Sequence, residues 1–411
     1  MPVAPTCGEF ADVNTDFDIL ILGGGLVGCS LACALQGQGY RVGLVEASAP
    51  ASRAPGFDER KLALAAASVN ALTALGVFPP DSPTLSPIRR IHVSRAGDFG
   101  VVRLQASDSG RVAFGAVISA SALGVALEAR LAQLDGLQIL RPCKVGAIEL
   151  ATECARVDLD CNGAKKSLST RLLVAADGTR SFARDALGIG AEEFDYQQTL
   201  LVCSVAGARP ADGTAYERFT DQGPVALLPM GEHYGAICAV DRAQAEAAMG
   251  LDDAAYAQYF QRRFGWRVGR IERVGRRSAY SVVRVLAERL VSTRAVLIGN
   301  AAQTIHPIGA QGFNLGLRDA LALAELMDGK SDPGEQELLV NYSAARREDR
   351  QRTLAFSDGL ALATANTSAA MHVMRSFGLL ALANIPGLAT PLVAGAMGFR
   401  GRVPRLARGS Q

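Results

Sequence analysis

The sequence predicts an α/β protein built around a parallel sheet, and two glycine-rich turns far apart in the chain are the main evidence. The first turn lies at 23–28 and the second extends over 299–312. A short apolar run precedes each turn, at 17–22 and at 295–298. Such runs are typical of strands buried in a parallel sheet, and ligands commonly bind at the turns that follow them.

Composition favours a folded enzyme over other classes of protein. The chain has 411 residues, of which 49% are apolar and 20% are charged. It is therefore long enough for two domains and too apolar to be disordered. The formal net charge is only +2, which argues against binding to nucleic acid.

Cysteine and histidine usage gives no support for a zinc site. The eight cysteines contain no CxxC pair, and the four histidines lie far apart in the sequence. The first residues lack a basic stretch followed by an apolar core, so we expect no signal peptide. Reduced thiols and a cytoplasmic location are the resulting expectations.

The first glycine turn has the surroundings of a nucleotide-binding βαβ unit. A strand is predicted at 17–22, a helix at 26–38 and a second strand at 41–45, and Glu46 stands at the end of the second strand. An acidic residue about twenty positions after such a turn is typical of this unit. The combination predicts a Rossmann-like fold for this part of the chain.

Each of the spaced glycines has a physical task in such a unit. Gly23 permits the tight turn, Gly25 lets backbone N–H groups approach a pyrophosphate, and Gly28 allows the helix to pack closely on the strand. The helix N-terminus favours the phosphates. Glu46 can accept hydrogen bonds from the adenosine ribose. These residues predict an ADP-binding site.

The segment between the two glycine turns continues the α/β pattern. Small residues at 63–68 predict a helix, and a further helix is predicted at 119–134. Alternating apolar and polar residues on both sides of Asn162 and Gly163 predict a β-hairpin.

An apolar strand predicted at 172–176 ends in the pair Asp177 and Gly178. This dipeptide is common in plain turns. Its position at the end of a buried strand nevertheless favours contact with a ligand, because ligands of open α/β sheets bind there.

Residues 192–280 differ from the rest and predict an inserted substrate domain with a mixed or antiparallel sheet. They form short alternating segments, with a helix predicted at 243–264. The predicted division of the chain is a discontinuous cofactor domain at 1–85, 115–188 and 286–345, a substrate domain at 86–114 and 189–285, and a C-terminal helical region at 346–411.

Seven arginines lie within 262–277, opposed only by Glu272. A solvated basic face is one interpretation of this run. The alternatives are docking of a nucleotide phosphate and contact with an anionic membrane surface.

The second glycine turn predicts that the same ligand is also held at its other end. Asn300 can hydrogen-bond a ribityl or phosphate oxygen without adding negative charge, and Gly309 and Gly312 would admit the edge of an isoalloxazine ring. A helix is predicted from Phe313 onward, and its N-terminal dipole would stabilise negative charge on a reduced flavin. One large cofactor held at both ends fits FAD better than NAD.

At these positions the chain resembles the flavoprotein aromatic hydroxylases of the 4-hydroxybenzoate hydroxylase type, and among them the ubiquinone-biosynthesis hydroxylases. The likeness covers almost the whole chain, includes Asp58 and Arg60, and is most specific at 299–319. Most relatives have aspartate where this chain has Asn300, and histidine where it has Gln303. The form found here is similar to that of the 2-octaprenyl-6-methoxyphenol hydroxylases.

The resemblance implies one FAD, no metal, and NAD(P)H that binds transiently without a second nucleotide domain. It also implies the chemistry, which the cofactor carries. Reduced flavin would react with O2 to give a C4a-hydroperoxide, and the electron-rich ring of a phenol would attack the distal oxygen.

The same resemblance implies roles for individual residues. Pro307 would present its carbonyl near the flavin C4a, Asp177 with Gly178 would lie beside the pyrophosphate, and Arg60 would contact the flavin. His306 is a catalytic candidate because it precedes Pro307, although packing or a structural hydrogen bond is the favoured alternative. No residue stands out as the base that removes the phenol proton. The residues assigned to the cofactor are Gly23, Gly25, Gly28, Glu46, Arg60, Asp177, Gly178, Gly299, Asn300, Gly309, Gly312 and Asn314.

The C-terminal tail raises the question of membrane contact. Residues 376–399 carry no charge and are followed by four arginines. Prolines and glycines within this stretch argue against one continuous transmembrane helix. Three alternatives remain open: packing onto the protein or an oligomer partner, a peripheral contact with the inner membrane, and a true span.

The sequence therefore predicts an FAD-dependent hydroxylase that uses NAD(P)H and O2 to add one hydroxyl to a polyprenylated methoxyphenol in ubiquinone biosynthesis. One alternative is the same chemistry at another ring position of a ubiquinone precursor. The other is a non-catalytic FAD-binding subunit of a ubiquinone-biosynthesis complex.

Overall fold

The computed structural model describes residues 15–49, 60–365, 368–385, 387–399 and 401–409. Within these ranges the chain forms three β-sheets and a set of helices around them. The strands are β1 Phe17–Leu22, β2 Val42–Val45, β3 Lys61–Ala65, β4 Ser86–Pro87, β5 Arg90–Arg95, β6 Val101–Gln105, β7 Gly115–Ser119, β8 Leu137–Leu140, β9 Lys144–Leu150, β10 Ala155–Cys161, β11 Ala164–Ala175, β12 Ala191–Gly207, β13 Thr214–Thr220, β14 Gly223–Met230, β15 His233–Asp241, β16 Ile271–Val274, β17 Ser278–Ala287, β18 Val291–Ser292, β19 Ala295–Leu297 and β20 Gln303–Thr304.

The α-helices connect and cover these sheets, and short 3₁₀ turns follow several strands. The α-helices are α1 Leu26–Ala34, α2 Ala66–Ala74, α3 Ala120–Leu131, α4 Phe182–Ala186, α5 Arg242–Met249, α6 Asp253–Phe264, α7 Gln311–Met327, α8 Gln336–Ala365, α9 Ala369–Asn384 and α10 Thr390–Ala396.

The first sheet carries the predicted nucleotide-binding unit. Its main path runs in the order β18-β19-β11-β1-β2-β8, and the strands from β19 to β8 are parallel to one another. The apolar side chains of β1 are buried, as expected for a strand covered on both faces. Helices α1 and α7 pack against each other on this sheet. The predicted α/β fold with a parallel sheet is confirmed.

The second sheet is mostly antiparallel and runs β20-β17-β12-β15-β14-β13-β5-β6. One of its faces packs on α5 and α6 around Tyr256, Phe260 and Phe264, which are fully buried. The other face lies toward β3 and α10, where a smaller apolar cluster includes Leu228 and Met397. The two faces thus have different neighbours: α5 and α6 cover one face, and β3 and α10 lie against the other.

Several local predictions match the structure and others need correction. The strand predicted at 17–22 is β1, and the hairpin at Asn162 and Gly163 is formed by β10 and β11. The helix predicted at 63–68 is wrong in its first half. Residues 61–65 form β3 because they pair with β7, and this tertiary pairing overrides the helix propensity of alanine.

Two further helices differ from their predicted limits. The helix predicted at 243–264 is divided into α5 and α6, because the Asp252 side chain accepts a hydrogen bond from the N–H of Ala255 and caps a new helix. The helix predicted from Phe313 begins at Gln311, so Gly312 lies in its first turn. The proposed boundaries of the domains stay a prediction.

The C-terminal tail folds as two short helices, α9 and α10. Among the described residues, no helix combines the length and apolar character needed to cross a bilayer. Val393 and Met397 are buried against the second sheet, which agrees with packing onto the protein. Met374 and Phe377 of α9 are exposed.

The arginine run at 262–277 is only partly a solvated face. Arg262 and Arg270 are exposed, whereas Arg263 is buried and donates hydrogen bonds to the carbonyl oxygens of Gln222 and Ala239.

The expectation of reduced thiols is wrong for one pair of cysteines. Cys143 and Cys161 form a disulfide with a Cα–Cα distance of 4.1 Å. No local sequence pattern indicates this pair, because it is the fold that brings the end of β10 beside the segment that follows β8.

Replacing both cysteines of this pair by serine should destabilise the protein. A cross-link that closes a loop of 18 residues stabilises a fold by about 3 kcal/mol. Urea unfolding of C143S/C161S should show a loss of that size, and reductant should lower the wild type to the same level. Non-reducing peptide mapping that finds the two cysteine peptides unlinked would contradict the disulfide.

Candidate functional site

Four neighbouring parallel strands end at the same edge of the first sheet, and each is followed by residues assigned to the cofactor. In the order β2, β1, β11 and β19 these are Glu46, the turn at 23–25, Asp177 with Gly178, and the turn that begins at Gly299. Ligands of open α/β sheets bind at the carboxyl ends of strands. The structure thus brings together segments that lie up to about 280 residues apart in the chain.

The first glycine turn leaves space for a ligand at one position and none at another. A Cβ on Gly28 would lie 2.0 Å from the carbonyl oxygen of Gly23, so only glycine fits there. A Cβ on Gly25 would meet no atom within 4 Å. Gly25 is also the N-cap of α1, which has no side-chain cap. The protein itself therefore does not require a bare Cα at Gly25, whereas a closely bound phosphate would.

Glu46 orders this turn as well as facing the site. Its Oε2 accepts a hydrogen bond of 2.8 Å from the N–H of Gly24, and its Oε1 accepts one of 2.9 Å from the N–H of Ser48. A carboxylate can also accept hydrogen bonds from the hydroxyls of a ribose.

Asp177 also has a structural task. Its Oδ1 accepts a hydrogen bond from the Ser181 hydroxyl, and its Oδ2 accepts one of 2.9 Å from the N–H of Ala183 at the start of α4. Gly178 has φ +93, and a Cβ there would meet nothing within 4 Å. The pair therefore forms a fixed turn with an open side.

The second glycine turn is held by a buried ion pair. Oδ2 of Asp319 accepts hydrogen bonds from the N–H of Gly299 at 3.1 Å and from Nε2 of Gln303 at 2.6 Å. Oδ1 of the same residue accepts one of 2.7 Å from Nε of Arg346. Asp319 and Arg346 are each 3% exposed. This carboxylate therefore fixes both the start of the turn and the amide that replaces the histidine of most relatives.

A second carboxylate extends this network. Arg346 and Arg318 both contact Asp349, each at 2.7 Å. Burial alone would raise the pKa of Asp349, but the two guanidinium groups outweigh burial and lower it. Burial alone would lower the pKa of Arg346, but Asp319 and Asp349 raise it. Asp349 and Arg346 are therefore charged near neutral pH.

The start of α7 presents free backbone donors to the same region. The helix begins at Gln311 without a side-chain cap, and a Cβ on Gly312 would meet nothing within 4 Å. Pro307 and Gly309 of the preceding turn are exposed, and the Pro307 carbonyl accepts a hydrogen bond of 2.9 Å from the N–H of Ala310. A helix N-terminus of this kind favours negative charge on a bound group.

Asn300 is exposed at the edge of this region. Its amide donates a long hydrogen bond of 3.5 Å to the Thr179 hydroxyl, which lies 2.8 Å from the Thr304 hydroxyl. The Asn300 side chain therefore lies between the turn after β11 and the turn after β19.

The Asn314 side chain is fully engaged with protein. Its Oδ1 accepts hydrogen bonds from the N–H of Ala65 at 2.9 Å and from the Ser68 hydroxyl at 2.7 Å. Its Nδ2 donates to the carbonyls of Ala63 at 2.9 Å and Ala310 at 2.8 Å. Asn314 therefore ties the start of α7 to β3.

His306 is buried and uses both ring nitrogens. The N–H of Ile308 donates to its Nδ1 at 3.2 Å, so the ring proton is on Nε2, which lies 3.2 Å from Oε1 of Gln198. Tyr196 packs edge-on against the ring. Burial lowers the pKa of His306 to about 4, so the ring is neutral at neutral pH. These contacts favour the structural alternative over a role as catalytic base.

Arg60 immediately precedes β3. Its guanidinium is 6.0 Å from the centre of the Tyr280 ring, and its carbonyl accepts a hydrogen bond from the N–H of Ala120. Asp58, the other member of that predicted motif, lies outside the described residues.

Several residues that position the site were not assigned to it from the sequence. Arg184 is buried and donates to the carbonyls of Thr179 and Ala301, so it links the turns after β11 and β19. Gly316 brings α7 against the second turn, since a Cβ there would lie 3.1 Å from the Cα of Gly299. A charged residue in an apolar helix, such as Asp319, was the one available sequence indication of such a role.

The site residues fit an extended FAD. The open position at Gly25 and the uncapped start of α1 suit the pyrophosphate. The open position at Gly312 and the uncapped start of α7 suit the ring. The carboxylate of Glu46 suits the ribose. The four strand ends supply a continuous edge along which such a cofactor could lie.

Comparisons with known proteins agree with this fit. Residues 16–357 match the family described as FAD binding domain, and the chain belongs to that family. A ubiquinone hydroxylase of Rhodospirillum rubrum is 34% identical over 95% of this chain and 92% of its own length. The 3-demethoxyubiquinol 3-hydroxylase of Escherichia coli is 27% identical over 90% of this chain and 95% of its own length.

Solved structures confirm the fold. The p-nitrophenol 4-monooxygenase of Pseudomonas putida has a TM-score of 0.75 at 17% identity and covers 94% of this chain and 98% of its own. A probable FAD-dependent monooxygenase of Pseudomonas aeruginosa has a TM-score of 0.73 at 21% identity, covering 89% of this chain and 99% of its own. The predicted family and the FAD cofactor are confirmed: this is an FAD-dependent monooxygenase whose relatives are ubiquinone-biosynthesis hydroxylases.

Alanine substitutions at Gly25 and Gly28 should have separate effects. G25A meets no protein atom, so the apoprotein should keep its stability while FAD binding weakens. G28A forces a Cβ onto the Gly23 carbonyl and should destabilise the apoprotein itself. Thermal unfolding of the apoproteins and flavin absorbance after FAD addition separate the two. Undiminished FAD affinity in G25A would contradict the assignment of Gly25.

Replacing Asn314 by alanine should cost about 2–4 kcal/mol, because it leaves buried backbone groups of β3 unpaired. FAD binding should weaken with it as the α7 start loses its anchor. Urea unfolding and FAD titration measure the two effects. N384A, which removes an exposed amide on α9, is the matched control and should change neither. A stability of N314A equal to that of the control would refute the anchoring role.

Proposed function

We propose that this protein uses FAD, NAD(P)H and O2 to add one hydroxyl to a polyprenylated methoxyphenol in ubiquinone biosynthesis. The observation that carries the proposal is the shared edge at which the four parallel strands end, together with the uncapped start of α7. Bound there, the flavin would supply the oxygen chemistry, and the protein would supply position, a dry environment and charge complementarity.

The residues have separate tasks in this proposal. Glu46 would bind the adenosine ribose, and the N-terminus of α1 at Gly25 would bind the pyrophosphate. The backbone N–H groups at the start of α7 would stabilise negative charge on the pyrimidine side of the ring. Pro307 would lie at the ring face, and Asn300 would contact the ribityl or phosphate oxygens.

The buried Asp319 network supports this arrangement from behind. It holds the Gly299 turn in one conformation without placing a carboxylate next to the pyrophosphate. A preorganised turn of this kind stabilises developing charge more effectively than one that must reorganise.

A second candidate function differs only in which position of the substrate ring is hydroxylated. The segment at 299–307 is similar to that of 2-octaprenyl-6-methoxyphenol hydroxylases, which favours that reaction. The likeness to a 3-demethoxyubiquinol 3-hydroxylase favours the alternative position on the ring. Both reactions need the same cofactor and an electron-rich phenol.

The proposed location is cytoplasmic, with a peripheral contact at the inner membrane or within a ubiquinone-biosynthesis complex. Exposed apolar residues of α9 and the adjacent loop, Phe99, Val373, Met374 and Phe377, support such a contact. A polyprenyl substrate gives it a purpose, because the phenol head must reach the flavin while the tail leaves lipid.

Purified FAD-loaded protein should oxidise NAD(P)H faster when a prenylated methoxyphenol is added, and should release a product that has gained one oxygen atom. Oxygen-18 gas identifies the source of that atom by mass spectrometry, and ring-substituted precursors separate the two ring positions. Bound FAD without substrate-stimulated oxidation would favour the non-catalytic subunit. Protein that stays colourless after incubation with FAD would refute the proposal as a whole.

A further inference from the structure

Glu217 lies on β13, on the face of the second sheet that α5 and α6 do not cover. Its neighbours along the strand, Tyr216 and Arg218, point to the opposite face, where Tyr216 packs beside Phe264. Because side chains alternate along a strand, Glu217 shares its face with Ala215. Ala215 belongs to the apolar cluster that includes Leu228.

Strand β3 and helix α10 lie against this face. In register with Glu217 are Val93 of β5 and Ala226 of β14. Across from the sheet, the side chain of Lys61 in β3 lies against Gly235, and Met397, which follows α10, belongs to the same apolar cluster as Ala215. The next part of β3 is bound by Asn314, which fixes the start of α7. Helix α8 also packs against β13. Glu217 therefore lies on the face of the second sheet that is turned toward β3, α8 and α10.

The charged and titratable groups on this face are few. Lys61 belongs to β3, Arg60 immediately precedes that strand, and Tyr280 lies on β17 near Arg60. Arg95 lies one strand away and is paired with Asp221. On α8, which packs against β13, Asp358 is paired with Arg284. None of these groups shifts the pKa of Glu217, which is raised to about 7 by burial alone.

The carboxyl of Glu217 is unpaired within the described part of the chain. It has no hydrogen bond and no ion pair there, although protein surrounds it. Its side chain still retains some accessible surface. A buried charge without a partner is costly, and natural folds seldom keep one without a use. An enclosed carboxyl that keeps accessible surface can accept a hydrogen bond from a ligand hydroxyl.

We propose that Glu217 is a catalytic residue that binds the hydroxyl of the phenol substrate and takes its proton during ring hydroxylation. This inference rests on the proposed function and assigns the base that the sequence did not identify. The phenol O–H bond breaks and an O–H bond forms on the Glu217 carboxylate. The electron pair left on the phenol oxygen enters the ring, and an ortho or para carbon bonds to one oxygen atom from O2.

The remaining atoms balance with the established co-substrates. NAD(P)H supplies two electrons, and the second oxygen atom leaves as water. The attacked carbon loses its hydrogen as the ring becomes aromatic again, and the proton held by Glu217 returns to the phenol oxygen. Glu217 is thus ready for the next cycle.

The acidities of the two groups decide when the proton moves. A phenol has a pKa of about 10, so a base with a pKa near 7 removes its proton unfavourably in the ground state, by about a thousandfold. The phenol becomes more acidic as its ring gives up electrons to oxygen. Transfer is therefore coupled to formation of the C–O bond, as in general-base catalysis.

The first test uses E217Q, with E272Q as the matched control because Glu272 is exposed on β16 of the same region. E217Q should bind FAD normally but hydroxylate the substrate about a hundredfold or more slowly. In the wild type, kcat/KM should rise with pH to a plateau above about 7, since the carboxylate is the active form. The rise of kcat/KM with pH should be absent in E217Q and present in E272Q. The pKa of His306, about 4, lies too low to produce it.

The second test measures binding and does not depend on turnover. Titration of FAD-loaded wild type should show that 2-methoxyphenol binds about tenfold more tightly than 1,2-dimethoxybenzene, which lacks the hydroxyl. E217A should bind the two probes equally. If the wild type discriminates and E217A does not, but no hydroxylated product forms, the proposed function fails while the role of Glu217 in binding stands. If E217Q hydroxylates at the wild-type rate with the same rise of kcat/KM with pH, or if E217A discriminates as the wild type does, the proposal is overturned.

Discussion

Parallel pairing of β2, β1, β11 and β19 is the constraint on which the rest of the structure depends. Parallel strands place their carboxyl ends at one edge, so each strand delivers its following turn to the same place. Glu46, the glycine turn after β1, Gly178 and Gly299 thereby become neighbours. An FAD lying along this edge would meet a different turn at each part of its length.

The second glycine turn depends in addition on charges buried beneath it. Asp319 accepts hydrogen bonds from the Gly299 backbone and from Gln303, and it is neutralised by Arg346. A neutral amide at Gln303 satisfies the carboxylate without adding a second buried cation. A buried pair of this kind is weak evidence for stability, but it fixes one geometry because breaking it leaves an uncompensated charge.

The two faces of the second sheet have different roles. One face is closed by α5 and α6 around Tyr256 and Phe260 and serves as a core. The other face, which carries Glu217, is turned toward β3, α8 and α10. Since side chains alternate along β13, a shift of one residue in register would bury Glu217 in the aromatic core and turn Tyr216 toward the substrate. Register is therefore a functional property of this sheet.

The sequence by itself determined the local features whose causes are local. The apolar run at 17–22, the spacing of Gly23, Gly25 and Gly28, and the acid at Glu46 were sufficient to predict β1, the turn and the cofactor, because each follows from backbone geometry within a few residues.

Only the tertiary structure decided which distant groups meet. It made β3 from residues whose alanines favour a helix, engaged Asn314 in four hydrogen bonds to protein, and paired Cys143 with Cys161. It also left the Glu217 carboxyl without a partner among the described residues. The physical reason is the same in each case: strand pairing, burial and desolvation depend on neighbours from other parts of the chain, which no local pattern specifies.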